Sequence, residues 1–348
     1  MRATWGLIGL IAAATAAAGA AHYADAPSLL AFGVATAALA GLAWLVSFST
    51  EQVGERFGPA VTGVLQSTLG NLPEFFIVVF ALSAGEVVVA QTSIIGSIFA
   101  NALLVLGLVV FAGCRESADG VMRFHARLPK DNAVLMLLAS FLIVILGISA
   151  ASGDRASHHV KAISIVGAVA LLVTYVVWLA DYIRSDAEHE PSRGAPVVPM
   201  RLAIILLAAA GVGAAFVSDW FIAALSPAVE ALHLSQAFAG LVIVAIAGNA
   251  VENVVGIQLA ARNRPDYALS VILQSPVQIA LVLAPVLVLG APLVGATFTL
   301  VLSPILIAVL VLSVLVTTVV VFDAESNWLE GVALIVLYCL CATAFLWG

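Results

Sequence analysis

The sequence predicts an all-α protein that crosses a membrane about eleven times, with one N-terminal helix followed by two five-helix repeats of opposite orientation. Hydrophobic residues make up 63% of the 348 residues and charged residues only 9%, whereas soluble domains carry about 25% charged residues. The apolar runs are continuous and about 20 residues long, and they do not alternate with polar residues as in a membrane β-barrel. The composition therefore excludes a soluble enzyme, a nucleic-acid-binding protein and a disordered chain.

The apolar runs form eleven predicted spans, span 1 to span 11 in chain order. They cover residues 4–21, 28–48, 58–84, 87–113, 131–151, 160–183, 200–224, 234–261, 267–290, 295–321 and 328–347. A polar, proline-containing linker at 184–199 divides the chain near its middle. We therefore expect an N-terminal helix at 1–26, a first repeat at 27–183 and a second repeat at 200–348. A cleaved signal peptide is the alternative for the N-terminal segment.

The distribution of basic residues predicts the orientation of the chain. With the spans above, eleven of the thirteen Lys and Arg residues fall on one side of the membrane, and only Arg155 and Lys161 fall on the other. Cytoplasmic loops carry an excess of Lys and Arg. We therefore expect a multi-pass protein of the lipid bilayer, in the cell (inner) membrane, with a cytoplasmic N-terminus, an outside C-terminus and a cytoplasmic linker.

A short motif occurs twice in the middle of apolar spans. Residues 70–74 read Gly-Asn-Leu-Pro-Glu in span 3, and residues 248–252 read Gly-Asn-Ala-Val-Glu in span 8. The two spans are five apart, so equivalent helices cross the membrane in opposite directions. Inverted repeats of this kind are typical of secondary transporters, whose site lies at the midplane between the halves.

Polar residues in these spans and in the following ones predict a shared site. An ionisable residue in hydrocarbon costs several kcal/mol, so Glu74 and Glu252 are expected to face the protein interior. Residues at i and i+3 share a helix face, which places Asn71 beside Glu74 and Asn249 beside Glu252. Spans 4 and 9 add further polar candidates: Ser97, Asn101, Ser275 and Gln278. We expect the two carboxylates to lie within about 10 Å of each other in one cavity.

The residue types of this site favour a hard cation. All of its candidate ligands are oxygen atoms, as Ca²⁺ prefers, and none is a Cys or His side chain. Glu74 and Glu252 together balance the charge of one divalent metal ion, and without the ion their mutual repulsion favours protonation. The same pair can hold a divalent cation or protons but not both, which is the chemical basis of an antiporter. No resident cofactor is expected.

Three further features bear on this hypothesis. Gly70, Pro73 and Gly248 are expected to break or kink the helices near the acids, while glycines in spans 4 and 8 would allow close helix contact. Glu51 and Glu230 precede the two motifs at span ends and are candidate cavity-mouth acids. The plainer alternatives are solvated termini for these two acids and simple interhelical hydrogen bonding for the amides and hydroxyls.

The motifs resemble the cation/proton exchanger (CAX) family. Residues 49–53, 70–74 and 91–107 are similar to the first repeat of that family, and residues 234–252 and 278–285 are similar to the second. The resemblance implies a Ca²⁺/H⁺ antiporter with one extra N-terminal helix and two inverted five-helix repeats. The ligand glutamates of the family match Glu74 and Glu252, and its signature asparagines match Asn71 and Asn249. Its polar positions on the following helices match Ser97, Asn101, Ser275 and Gln278.

The chain departs from the family pattern close to the acids. The family usually has Ala-Ala between Asn and Glu, where this chain has Leu72-Pro73 and Ala250-Val251, and it often has His where this chain has Asn253. Ion selectivity therefore stays open, with Na⁺/Ca²⁺ exchange or another cation/H⁺ exchange as the nearest alternative. A passive cation channel is a weaker alternative, an intramembrane enzyme weaker still, and the oligomeric state is open.

Overall fold

The computed structural model describes residues 2–54, 68–153, 155–186 and 197–346, except for the side chains of residues 2, 3, 54, 185, 186, 251 and 252. Almost all of these residues are helical. The spans are the helices Arg2–Tyr23, Ser28–Gly54, Leu72–Ser83, Val87–Glu116, Arg127–Ser152, Val160–Asp186, Met200–Ala231, Gln236–Gly248 with Ala250–Ala260, Pro265–Val294, Pro304–Val321 and Trp328–Leu346. A 3₁₀ turn, Arg155–His159, precedes span 6, and another, Ala291–Val294, ends span 9.

The predicted all-helical membrane fold is confirmed. Within the described residues, nine helices are long and apolar enough to cross a membrane, and a tenth crossing is added if the bent pair of span 8 counts as one. The first part of the predicted span 3 lies outside the described residues, so the total of eleven stays a prediction.

The prediction for span 10 is wrong at its start. We expected a helix from residue 295, but the helix begins at Pro304 and residues 295–303 are not helical. Gly295 has a φ of 71°, and Ser303 has the extended ψ of 149°. A residue before proline is driven out of the helical region, and proline suits the first helical turn. The apolar composition of 295–303 concealed this boundary.

Within the described residues, three π-helical segments interrupt the spans that carry the candidate site. They are Ala100–Val105 in span 4, Ala239–Val244 in span 8 and Ile279–Leu283 in span 9. π-helical segments are rare in proteins, and those that occur are often found at functional sites. Those in spans 4 and 9 lie just beyond Ser97 and Ser275 and occupy similar places in the two repeats.

A small antiparallel sheet joins loops that the predicted crossing order places on the same side. Strand β1, Val121–Arg123, pairs with strand β2, Glu325–Asn327. Arg123 forms ion pairs with Asp119 at 2.7 Å and with Glu325 at 3.4 Å. The hydrogen bond from the Arg123 guanidinium holds the pKa of the Asp119 carboxyl below its usual value. Sequence analysis did not predict these strands, because each is only three residues long.

Other contacts at this end of the molecule agree with the same crossing order. The backbone amide of His125, in the loop after span 4, donates to Asp266 Oδ1 at 2.7 Å, in the loop before span 9. Gln52 Oε1, at the end of span 2, accepts from the backbone amide of Val197, in the linker, at 2.6 Å. Each contact joins segments that the predicted alternation places on the same side.

The opposite end shows the same agreement. Glu86, between spans 3 and 4, accepts hydrogen bonds from Ser226 Oγ at 2.8 Å and from Gln236 Nε2 at 3.0 Å. Ser235 Oγ, before span 8, donates to the backbone carbonyl of Phe345, at the end of span 11. The predicted alternation places all four segments on the side opposite the β-sheet.

Spans 4 and 8 touch through their backbones. A Cβ atom at Gly96 would overlap the backbone of Leu241, and a Cβ atom at Gly240 would overlap the Thr92 hydroxyl. The expected close approach at these glycines is therefore confirmed. It brings Ser97 of span 4 next to the part of span 8 that leads to Asn249.

We predict that Gly96→Ala destabilises the protein, because the added methyl group must displace backbone atoms of span 8. Overpacking of this kind costs about 1–3 kcal/mol, so the melting temperature in detergent should fall. Gly211→Ala is the matched control, since in the described part of the chain nothing lies within 4 Å of a Cβ there. The control should be neutral or slightly stabilising. Equal melting temperatures for both variants and the parent would contradict this packing.

Candidate cation site

The two repeated motifs both interrupt a helix at their asparagine. Asn71 has φ −81° and ψ 3°, and the helix Leu72–Ser83 begins directly after it. Asn249 has φ −106° and ψ 10°, and the helix Ala250–Ala260 begins directly after it. These angles belong to the sparsely populated region that many functional residues occupy. In span 8 the segments 236–248 and 253–260 are bent by 61°, so the expected helix breaks are confirmed in both repeats.

The breaks place both acids in the first turn of a half-helix. Glu74 is the third residue of its helix, and Glu252 is the third residue of the helix Ala250–Ala260. The first turn of a helix presents unsatisfied N–H groups and a partial positive charge, which stabilise a carboxylate nearby. Glu74 is 2% exposed. The side chain of Glu252 lies outside the described residues, although its backbone is helical.

The first motif packs directly against the second. A Cβ atom at Gly248 would lie 3.7 Å from the Cβ atom of Glu74, which is ordinary van der Waals contact. Glu74 of the first repeat therefore lies beside the helix break of the second repeat. The expected distance between the two carboxylates stays a prediction, because it depends on the side chain of Glu252.

Hydrogen bonds connect the polar residues of spans 4, 8 and 9. Asn249 Nδ2 donates to Ser97 Oγ at 2.9 Å and to the carbonyl of Ala245 at 2.9 Å. Asn101 Nδ2 donates to the carbonyl of Ser97 at 3.0 Å and reaches Ser275 Oγ at 3.4 Å. These side chains are all buried. The structure therefore brings together four of the predicted residues, Ser97, Asn101, Asn249 and Ser275.

In these contacts the side-chain amides of Asn249 and Asn101 donate through their nitrogen atoms to other groups of the protein. The carbonyl oxygen is then the end of the amide available to a ligand. Among the described residues, Asn101 Oδ1 has no hydrogen-bond partner. A buried oxygen without a partner costs about 1–3 kcal/mol, and a cation or a water molecule at that place would offset the cost. Amide, hydroxyl and carboxylate oxygens are the ligands that Ca²⁺ takes in proteins.

Gln278 makes a contact that sequence analysis did not predict. Its Nε2 donates to the hydroxyl of Tyr175 in span 6 at 2.9 Å, and both side chains are buried. A tyrosine inside an apolar span is common enough that its sequence position alone gave no signal. Asn71 is also buried, and it lies at the break that precedes Glu74.

The two candidate cavity-mouth acids occupy equivalent places. Glu51 lies in the last turn of the helix Ser28–Gly54, and Glu230 lies in the last turn of the helix Met200–Ala231. Both are exposed. A role in attracting cations stays a prediction for both.

Comparison with known proteins identifies the family. A sequence model of the sodium/calcium exchanger protein family matches residues 27–181 and again residues 202–347. The chain belongs to this family. The predicted resemblance to cation/proton exchangers is also confirmed by its relatives.

Two relatives match most of the chain. The "Vacuolar calcium ion transporter" of Schizosaccharomyces pombe is 31% identical over 319 residues, which are 88% of this chain and 77% of the relative. The "Ca(2+)/H(+) antiporter ChaA" of Bacillus subtilis is 30% identical over 324 residues, which are 92% of each chain.

Solved structures show the same fold. The structure of native YfkE superposes with a TM-score of 0.83 at 28% identity and covers 98% of this chain and 99% of that one. The H⁺/Ca²⁺ exchanger CAX superposes with a TM-score of 0.81 at 15% identity over 99% of this chain and 92% of that one. The second likeness concerns the fold alone.

We predict that Ser97→Ala destabilises the protein by about 1–2 kcal/mol, because it removes one acceptor of the buried Asn249 amide. Ser93→Ala is the matched control one turn earlier on the same span. Ser93 is also fully buried, but its hydroxyl has no hydrogen-bond partner among the described residues. Thermal unfolding in detergent should show a lower melting temperature for Ser97→Ala only. Equal effects of the two substitutions would argue against the Asn249–Ser97 hydrogen bond.

Proposed function

We propose that this protein is a secondary active antiporter that exchanges Ca²⁺ for H⁺ across the membrane. Glu74 and Glu252 bind Ca²⁺ and protons alternately. The observation that carries the proposal is the packing of Glu74, buried in the first turn of one half-helix, against the helix break of the other repeat. The printed names of the relatives support Ca²⁺ and H⁺ as the exchanged ions.

Charge balance is the physical reason for the exchange. A buried carboxylate is costly unless it is paired, bound to a metal ion or protonated. Two carboxylates neutralise one Ca²⁺, and two protons neutralise the same carboxylates. The site therefore changes access from one side of the membrane to the other only when it holds one cargo or the other, and the inverted repeats allow access from either side in turn.

The remaining candidate residues supply neutral oxygen ligands. Ca²⁺ takes six to eight oxygens in proteins, so two glutamates cannot complete its coordination shell. Asn71 and Asn249 lie at the helix breaks. We assign the remaining ligand roles to the buried polar residues of spans 4 and 9, of which Ser97 contacts Asn249: Ser97, Asn101, Ser275 and Gln278. Helix breaks also release backbone carbonyls toward a cation.

The loop contacts and the basic residues suggest how the carrier is oriented. The β-sheet side carries the predicted excess of Lys and Arg, so we assign that side to the cytoplasm. The N-terminus is then cytoplasmic, the C-terminus lies outside, and the cell membrane is the expected location. We assign the protein as a carrier and not an enzyme, because its candidate site offers two carboxylates, one from each repeat, that hold Ca²⁺ or protons in turn.

A second candidate function is Na⁺/Ca²⁺ exchange. It is favoured by the description of the matching family as sodium/calcium exchanger protein. The same oxygen ligands suit Na⁺, so the driving ion separates the two functions.

The test is uptake of radioactive Ca²⁺ into liposomes that contain the purified protein. We predict that an imposed H⁺ gradient drives Ca²⁺ against its own gradient, because both ions use one site. A Na⁺ gradient of equal size should not drive it. Uptake that requires Na⁺ would favour the second candidate, and flux that never runs against the Ca²⁺ gradient would favour a channel.

Variants of the acids complete this assay. Glu74→Gln and Glu252→Gln should each abolish exchange, because the amide keeps the volume but loses both the charge and the proton site. Glu51→Gln and Glu230→Gln should reduce exchange much less, since exposed acids at span ends influence only the approach of the cation. Gel filtration checks that all four variants are folded. Parental rates in both midplane variants would end the assignment.

A further inference from the structure

Tyr175, in span 6 of the first repeat, contacts the candidate site through Gln278, in span 9 of the second repeat. Its phenol oxygen accepts a hydrogen bond of 2.9 Å from Gln278 Nε2, while Tyr175 is 6% exposed and Gln278 is 4% exposed. Gln278 follows Ser275 by one turn, so the two share a face of span 9. Ser275 in turn contacts Asn101. We call the hydrogen-bonded residues Ser97, Asn101, Asn249 and Ser275 the polar layer of the site.

The hydrogen bond orients the amide of Gln278. An amide has a donor end and an acceptor end on opposite sides. With Nε2 bonded to the Tyr175 hydroxyl, the flip of the amide is set, and Oε1 is the atom that does not face that hydroxyl. A long glutamine side chain has many rotamers, and a buried partner that selects one of them removes the entropy cost of ordering it when a cation binds.

Tyr175 is itself held in place by its neighbours. Its ring packs against the ring of Trp178 with centroids 5.7 Å apart. Trp178 Nε1 donates to Asp131 Oδ2 at 3.3 Å. The phenol oxygen is therefore presented from a fixed position, which a positioning residue requires.

The second repeat contains an equivalent tyrosine without this hydrogen bond. Residues 169–175 read Val-Ala-Leu-Leu-Val-Thr-Tyr, and residues 332–338 read Val-Ala-Leu-Ile-Val-Leu-Tyr. Tyr338 in span 11 is 5% exposed, and its hydroxyl has no hydrogen-bond partner within the described ranges. A buried tyrosine at this place of the repeat can thus be accommodated without the bond.

Packing supports the equivalence of the two tyrosines. Span 11 contacts span 4 so closely that a Cβ atom at Gly107 would lie 2.6 Å from the carbonyl oxygen of Gly331. Span 6 contacts span 9 through Tyr175 and Gln278. Spans 6 and 11 are the last spans of their repeats, and spans 9 and 4 are the spans that follow the helix breaks at Asn249 and Asn71. In each case, the last span of one repeat therefore packs on the equivalent span of the other repeat.

We propose that Tyr175 is a positioning residue for the cation site, which orients the Gln278 carbonyl toward the bound ion. This inference rests on the proposed function, because it assigns Gln278 a part in binding the transported cation. Tyr175 itself does not touch the ion.

The test compares Tyr175→Phe with Tyr338→Phe in the full-length protein. Thermal unfolding in detergent is measured at increasing concentrations of Ca²⁺, Sr²⁺, Mn²⁺ and Na⁺, each tested alone. The cation that stabilises the parent most is then used for both variants. Loss of one orienting hydrogen bond should raise the concentration for half-maximal stabilisation about 5-fold in Tyr175→Phe. Tyr338→Phe should leave that concentration unchanged.

A second comparison separates positioning from a structural role. In a Gln278→Ala background, Tyr175→Phe should add no further loss of cation affinity, because the group that it orients is absent. In liposomes, Tyr175→Phe should raise the KM for the cation and largely keep the maximal rate. A melting temperature that falls without a change in cation dependence would overturn the proposal, as would equal effects of the two Tyr variants.

The outcome for the proposed function is read separately. Stabilisation by Ca²⁺ without H⁺-driven uptake would overturn Ca²⁺/H⁺ exchange, while the comparison of the two tyrosine variants would still decide the role of Tyr175. A parent protein that none of the four cations stabilises would overturn both.

Discussion

The rest of the structure depends on one constraint, which is the burial of the Glu74 carboxyl group inside a membrane protein. An isolated charge at this depth is costly, and the cost falls only with a counter-charge, a proton or favourable dipoles. The helix break at Asn71 supplies such dipoles, because a new helix begins directly after it and Glu74 lies in the first turn of that helix, beside its N-terminal N–H groups. The same break occurs before Glu252 in the opposed repeat, so one local solution is used twice.

Close packing brings the surroundings of the two helix breaks together. Gly96 and Gly240 let the backbones of spans 4 and 8 meet, and a larger side chain at either position would separate them. That contact allows Asn249 to reach Ser97, and Asn101 then connects the pair to Ser275 in span 9. The polar layer is thus a consequence of small residues at helix crossings. In it, Asn101 and Asn249 use their side-chain nitrogen atoms as donors to the protein, and the proposed function assigns their carbonyl oxygens to the cation.

Sequence analysis predicted the features that arise from composition and repetition. The continuous apolar runs predicted the helical membrane fold. Gly70, Pro73 and Gly248 predicted helix breaks near the acids, and the structure has these breaks at Asn71 and Asn249. Features that depend on tertiary contacts were not predictable: the π segments, the short β-pairing between loops and the hydrogen bond from Gln278 to Tyr175. The start of span 10 was missed because residues 295–303 are apolar although they are not helical. Apolar composition alone does not locate the start of a helix.

The central claim is that Ca²⁺ and protons compete for the same glutamates. The most direct measurement is the number of protons released when Ca²⁺ binds, obtained by calorimetry near neutral pH in buffers of different ionisation enthalpy. Metal ions bind deprotonated carboxylates, so the account predicts release of about one to two protons per Ca²⁺ in the parent protein. It also predicts that Glu74→Gln abolishes the release together with tight binding. Tight Ca²⁺ binding without any proton release across the range from about pH 5.5 to 8.5 would contradict a shared proton and cation site.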